Sequence, residues 1–427
     1  MNSLKSLGQA FKVPELRKKI IFTILMLVIF RVGCCIPIPG IDRDVLSSYF
    51  GSASGLFSLF DMFSGGSFSN FTIFALSITP YVTASIILQL LTVAIPSLEA
   101  LAKEGTEGQK KIAQYTRYLT VVLAFVQAIG LTVGLFRSAV INDSFFSLAL
   151  IILCLTAGTA FLMWLGEQIN EYGVGNGISL IIMAGIVARM PSDIHQTINK
   201  INTGEVSAIN GIIFVIFAVA VVVGIIEVQQ GTRKIPVQYA KRVVGRKMYG
   251  GQNTHIPLKV NQAGVIPVIF SLSILQFPLT LSYFAKQDSA FTSFITKYLS
   301  TQGNPGIWIY SAVNILLILF FTYFYTAIIF NPQDVADNMK ANGGFIPGIR
   351  PGRPTVEYLT RVMNRITFAG AIFLAVIATL PIIIGNFTAL ELQFGGTSLL
   401  IAVGVALDTM KQIESQMIMR NYQGFLN

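Results

Sequence analysis

Charge is scarce in this chain. Only 12% of its 427 residues are Asp, Glu, Lys or Arg, where a soluble domain carries about 25%. Histidine is rarer still: His195 and His255 stand far apart, which excludes a His-rich metal cluster, an HExxH zinc motif and a Ser-His-Asp constellation. The three cysteines, Cys34, Cys35 and Cys154, sit in apolar stretches. They have no zinc spacing and no even disulfide framework, and read as small core residues. A GxxxxGK[ST] loop is missing; EGTEGQKK and GVGNGIS have glycines but neither the spacing nor a preceding strand. The chain is therefore expected to be no enzyme and to need no cofactor or metal.

Apolar residues fill the space that charge leaves. They make up 53% of the chain, and mean hydropathy is +0.67, the composition of an integral membrane protein. Hydrophobic runs centre on 20–36, 71–95, 118–136, 145–165, 178–190, 209–226, 264–284, 307–330, 366–384 and 397–407. That makes ten expected spans in an all-α protein. With the N-terminus in the cytoplasm, 23 of the 30 Lys and Arg fall on the cytoplasmic side and six outside, with Arg31 near a membrane end. The positive-inside rule thus puts both termini in the cytoplasm. The opening MNSLKSLGQAFKVPELRKKIIF lacks a cleavage site and reads as an amphipathic segment with Phe11, Val13 and Leu16 on the interface.

Ten spans divide into five and five at 194–208. Because five is odd, the halves run through the bilayer in opposite senses, the arithmetic of an inverted repeat. The expected divisions are a 1–19 N-terminal segment, a first half at 20–193, an external hinge loop at 194–208, a second half at 209–411 and a 412–427 tail. The second half carries cytoplasmic loops 231–262 and 331–365. Runs 178–190 and 397–407 are too short for ordinary spans, and irregular backbone at membrane depth needs a protein or water lining. Charged groups are absent near the middle of most spans, unlike an ion-coupled transporter. Gln89 and Asn176 are the polar residues that stand out, and amides of this kind serve as interhelical glue.

One stretch, GLFSLFDMFSGGSFSN at 55–70, fits neither a span nor an ordinary loop. Leu56, Phe57, Leu59, Phe60 and Phe63 form one apolar face of a helix of two turns, far short of the roughly 20 residues needed to cross. Gly65 and Gly66 then end it and permit a hinge. A greasy element that cannot span needs a dry seat.

FTIFALSITPYVTASIILQLL at 71–91 resembles a signature of the SecY family of protein-translocation channels. FRVGCCIPIPGID, GVGNGISLIIMAGI, NQAGVIPVIFSLSI, GIRPGRPT and FGGTSLLIAVGVALD are similar to further family stretches, in the expected order over nearly the whole chain. Val82 stands where isoleucine is common. The resemblance implies two inverted five-helix halves around an hourglass pore in a bacterial plasma membrane, opening laterally to lipid. It implies that 55–70 is the plug of the resting channel. It further implies a pore ring of Ile78, Val82, Ile182, Ile269, Ile274 and Ile401, and a lateral gate, between the second and third and the seventh and eighth spans, that includes Gln89 and Asn176. Arg242, Arg246, Lys247 and Arg350 become the docking surface for the ATPase SecA or a ribosome. SecE-like and SecG-like subunits and a polypeptide bearing a signal sequence are the other implied partners. Two other classes share the composition: a secondary transporter with inverted repeats, and a membrane scaffold without a pore.

Overall fold

The computed structural model describes residues 11–42, 45–46, 61, 64–204, 208–239, 242–244, 247–249, 253–282, 289–299, 305–388 and 396–423. The first half holds α1 (Pro14–Gly33), α2 (Thr79–Ala94), α3 (Pro96–Lys103), α4 (Thr106–Ile129), α5 (Phe145–Tyr172) and α6 (Gly177–Asn202). The second holds α7 (Ala208–Gln230), α8 (Ile266–Ser282), α9 (Ala290–Tyr298), α10 (Gly306–Ile329), α11 (Pro332–Ala341), α12 (Arg353–Thr388) and α13 (Gly396–Gln423). Each of the ten hydrophobic runs has its helix, the short α3, α9 and α11 being additional. Among the described residues, α4, α5, α6, α10 and α12 are individually long and apolar enough to cross a bilayer, and α2 meets α3 at a bend of 100°.

The packing order repeats. In the first half α2 packs on α4, α4 on α5 and α5 on α6; in the second α8 packs on α10, α10 on α12 and α12 on α13. The halves meet where α2 packs on α8, α6 on α13 and, more lightly, α6 on α7. Helix count alone makes the second half enter from the other face, so the repeated order is an inverted repeat. One apolar core runs through both halves, from Phe30 and Ile86 through Leu165 and Ile186 to Ile318, Leu374 and Val405. In lipid such packing is held by dispersion and by buried polar contacts rather than by the hydrophobic effect. One such contact joins α8 to α10: Ser271 Oγ donates to Asn314 Oδ1 at 2.7 Å, with both residues buried.

Several expectations change in detail. Run 71–95 is only partly helical, since α2 begins at Thr79 and 71–78 is a chain of turns with positive φ at Phe71 and Ser77. Pro80 at the start of α2 has no N–H to extend the helix backwards. The turns are buried instead and bonded, Ile73 N–H to Ile36 O and Ile38 N–H to Phe71 O, as irregular backbone at membrane depth must be. Gly158 of α5 makes room for them, because a Cβ there would lie 1.9 Å from the Ile73 carbonyl oxygen. The runs at 178–190 and 397–407 are parts of full-length helices whose ends are polar. Helix α6 continues to Asn202 through Pro191, so the first part of 194–208 is helix rather than loop. Helix α13 likewise runs through most of the expected tail.

The fold is helical in its spans but not throughout. The basic segment after α7 forms strands β1 (Thr232–Tyr239), β2 (Arg242–Val244), β3 (Lys247–Tyr249) and β4 (Asn253–Lys259), and β5 (Gly344–Phe345) follows α11. The sheet order is β4-β1-β5, antiparallel, with β2 and β3 a separate antiparallel pair. Ile235 and Val237 alternate inward with Leu258 onto Ile346 and Leu359, the period of two that a one-sided strand requires. At the N-terminal end Leu16 is buried against Val174 and Ile413 with Val13 beside it, so only Phe11 of the expected interfacial trio stays exposed. Of the cysteines, Cys34 is buried, Cys154 partly buried and Cys35 exposed, which corrects its reading as a core residue.

Candidate functional site

The two halves bring apolar side chains to one place. Ile78 and Val82 lie one turn apart at the start of α2, Ile182 comes from α6, Ile269 from α8 and Ile401 from α13, and all five are buried in the shared core. Four of them, Ile78, Val82, Ile182 and Ile269, line a cavity of ≈ 20 Å³, room for a single water. Ser77 and Thr79 around the start of α2 and Leu272, Ser273 and Gln276 of α8 complete its wall. The α8 residues Ile269, Leu272, Ser273 and Gln276 are spaced i, i+3, i+4 and i+7, one helical stripe. Ile274 falls off that stripe and packs, partly buried, against the same core. Leu272 therefore stands on the wall where the sequence reading placed Ile274, and the spacing was the signal that could have found it.

A second cluster sits about midway along α6. The apolar face Leu56, Phe57, Leu59, Phe60 and Phe63 lies outside the described residues, but Asp61 and the turns from Ser64 are defined. Arg189 Nη1 of α6 donates to Asp61 Oδ2, and Arg189 Nε donates to Asp193 Oδ1 at 3.3 Å. Asp61 Oδ1 accepts from the Ser69 N–H at 2.8 Å, which closes the turn on itself. Gly65 and Gly66 have φ of 64° and 88°, the left-handed region that favours glycine. The Gly65 carbonyl accepts from Arg31 Nη1 of α1 at 2.9 Å. A neighbouring cavity of ≈ 240 Å³, lined by Arg31, Cys34, Gly65 and Asn70 among others, lies beside these turns. Sequence reasoning missed Asp61 and Arg189, which are 128 positions apart and announce no pattern.

Gln89 and Asn176 engage separate partners. Gln89 Nε2 donates to Ser85 Oγ on its own helix at 3.4 Å, while its Oε1 is buried without a protein partner. Asn176 is the N-cap of α6, its Oδ1 accepting from the Ser179 N–H at 3.1 Å. This is the ordinary service of Asn before a helix. Gln89 belongs to α2, the helix that packs on α8 across the halves.

The two basic loops meet where β5 pairs with β1. Arg242 stands in β2 and Lys247 in β3, while Arg246 lies outside the described residues. Pairing of Gln238 with Phe345 and Tyr239 with Gly344 ties this hairpin region to the loop that carries Arg350. Arg350 is exposed, and its carbonyl accepts from Thr355 Oγ1 at 2.9 Å at the entry to α12.

Residues 72–410 match the SecY family. Protein translocase subunit SecY of Halalkalibacterium halodurans is 49% identical over 433 residues, covering 99% of each chain. Two solved structures share the fold. One, of a SecY protein whose plug domain stabilises the closed state of the translocation channel and maintains a membrane seal, has a TM-score of 0.67 and 21% identity, covering 94% of this chain and 92% of that one. The other, Sec61 in the canine ribosome-channel complex from the endoplasmic reticulum, has a TM-score of 0.64 and 20% identity, covering 94% of this chain and 93% of that one.

Proposed function

This chain belongs to the SecY family and is a multi-pass, protein-conducting channel rather than an enzyme, and we propose that Ile78, Val82, Ile182, Ile269 and Ile401 form the seal through which an unfolded polypeptide passes. The secondary-transporter reading finds no support in these relatives. The observation that carries the proposal is the cavity of ≈ 20 Å³ between side chains of α2, α6 and α8. The branched aliphatic side chains narrow the passage to that size, and an apolar constriction so narrow dewets and blocks ions. The five ring side chains themselves offer no hydrogen bond or charge to hold a passing chain, so any sequence can slide past them once the halves part.

The segment 55–70 is the plug on this reading, with its hinge at Gly65 and Gly66. The α2–α8 seam is the lateral gate, Gln89 lies on it, and Asn176 acts there by fixing the start of α6. A transmembrane segment leaves sideways into lipid, and a secretory chain continues across. The sheet that joins β1 to β5, with Arg242, Arg246, Lys247 and Arg350, is the docking surface for SecA or for a ribosome, since acidic motor surfaces and RNA phosphates both attract such groups. SecE-like and SecG-like subunits complete the complex. It stands in the bacterial plasma membrane with both termini in the cytoplasm, as the excess of basic residues supports.

The test is ATP-dependent import of a radiolabelled secretory precursor into liposomes that contain the purified chain with a SecE partner and SecA. Protease protection that requires every component is the expected result. Absence of protection despite correct insertion and motor binding overturns the reading.

A further inference from the structure

The cluster midway along α6 has charges that the channel reading does not use. Asp61, Arg189 and Asp193 retain only 7%, 16% and 11% of their side-chain exposure. Charges withdrawn from water this far are stable only when paired. Asp61 belongs to the segment read as the plug, and Arg189 and Asp193 belong to a wall helix, so the pair Asp61–Arg189 crosses the surface on which the plug would leave. The partners are unequal in what they lose. Arg189 keeps Asp193, one helical turn away on its own helix, whereas Asp61 has its Ser69 and Ser64 contacts within the segment and reaches the wall helix through Arg189.

We propose that Asp61 and Arg189 are the catch that seats the plug against α6, and that Asp193 is the resident counter-charge that takes Arg189 over when the catch opens. The inference rests on the plug reading above. Asp193 stays beside Arg189 when the plug departs, so the guanidinium keeps a counter-charge on its own helix and the contact is a latch rather than a lock. Arg189 gives up the Asp61 carboxylate and keeps that of Asp193, while Asp61 moves into water. The Arg31 bond to the Gly65 carbonyl is a second, neutral attachment to α1, and the close approach of Gly65 to Gly185 sets the distance at which the catch engages.

The experiment is resting ion conductance of the full complex in planar bilayers without precursor, for the wild type, a deletion of 56–67, Asp61→Asn, Arg189→Gln and the double variant. Asp61→Asn keeps an oxygen for the Ser69 N–H and removes the charge. Each single variant is expected to raise resting open probability about tenfold or more, and the double variant no further than the singles, because coupled residues do not add. A wild-type baseline in Asp61→Asn alongside a leaking deletion overturns the catch and leaves the plug reading standing. A double variant whose increase is the product of the singles overturns the pairing. A silent deletion overturns the plug reading itself.

Discussion

Gly65 and Gly185 meet backbone to backbone: a Cβ built on Gly65 would lie 2.8 Å from the Gly185 Cα. Real Cβ atoms do not approach a backbone atom this closely, so the turn after Asp61 can seat on α6 only as glycine. Gly66 shares the left-handed backbone but would meet nothing within 4 Å.

The two glycines therefore separate strain from contact. Gly66→Ala carries only the backbone penalty, about 1–2 kcal/mol, and is expected to raise resting conductance slightly. Gly65→Ala carries that penalty and the clash, and is expected to leak several-fold more in the same bilayer recording. Equal leakage from both variants would show that seating against Gly185 plays no part.

Ile401 has no exposed surface and shares the core with the cavity-lining side chains. Ile401→Asn puts an amide where water is otherwise excluded, and ion conductance of the resting channel is expected to rise roughly tenfold. Ile401→Leu keeps the apolar wall and should stay silent. Conductance that is insensitive to Asn would remove Ile401 from the seal.

The Ser271–Asn314 bond ties α8 to α10 inside the second half. Ser271→Ala leaves the Asn314 oxygen without its donor and is expected to cost about 1–2 kcal/mol, read as a lower midpoint in detergent-based unfolding. The double variant Ser271→Ala, Asn314→Leu should recover part of that loss. A single variant as stable as the wild type would show that the bond contributes nothing.

Arg350 stands exposed on the loop tied to the basic sheet. Arg350→Glu is expected to reduce SecA-driven precursor import at least about fivefold, because it reverses a charge at a rim that steers an acidic partner. Complex assembly and the resting seal should stay intact. Unchanged import would take Arg350 out of the docking surface.

The spans were legible because each is a run of side chains that only lipid or a packed interior accepts, and the family stretches give their order. What was hidden follows from how hydropathy is read. The polar tail of α6 lowers the average after Pro191, although Ile194, Ile198 and Ile201 keep helical spacing. The alternation of Ile235 and Val237 in β1 was masked by the basic residues around it, which drew the reading toward charge. Ile274 was chosen by resemblance, while the stripe Ile269, Leu272, Ser273 and Gln276 needed only the helical period. The Asp61–Arg189 pair joins distant parts of the chain, and no local pattern specifies such a partner; it becomes visible only when the turns at 64–78 fold back over α6.

The most direct measurement of the central claim is disulfide crosslinking to a precursor stalled part-way through the channel and carrying one cysteine. Cys34, Cys35 and Cys154 are first replaced by Ser, since all three thiols are free, and single cysteines are placed at Ile182, at Ile269 and at Val219, an exposed position on α7. Crosslinks at 182 and 269 that depend on the stalled precursor, with none at 219, are predicted. Crosslinks at 219 with none at 182 or 269 would show that the polypeptide does not pass between the halves, and would contradict the account.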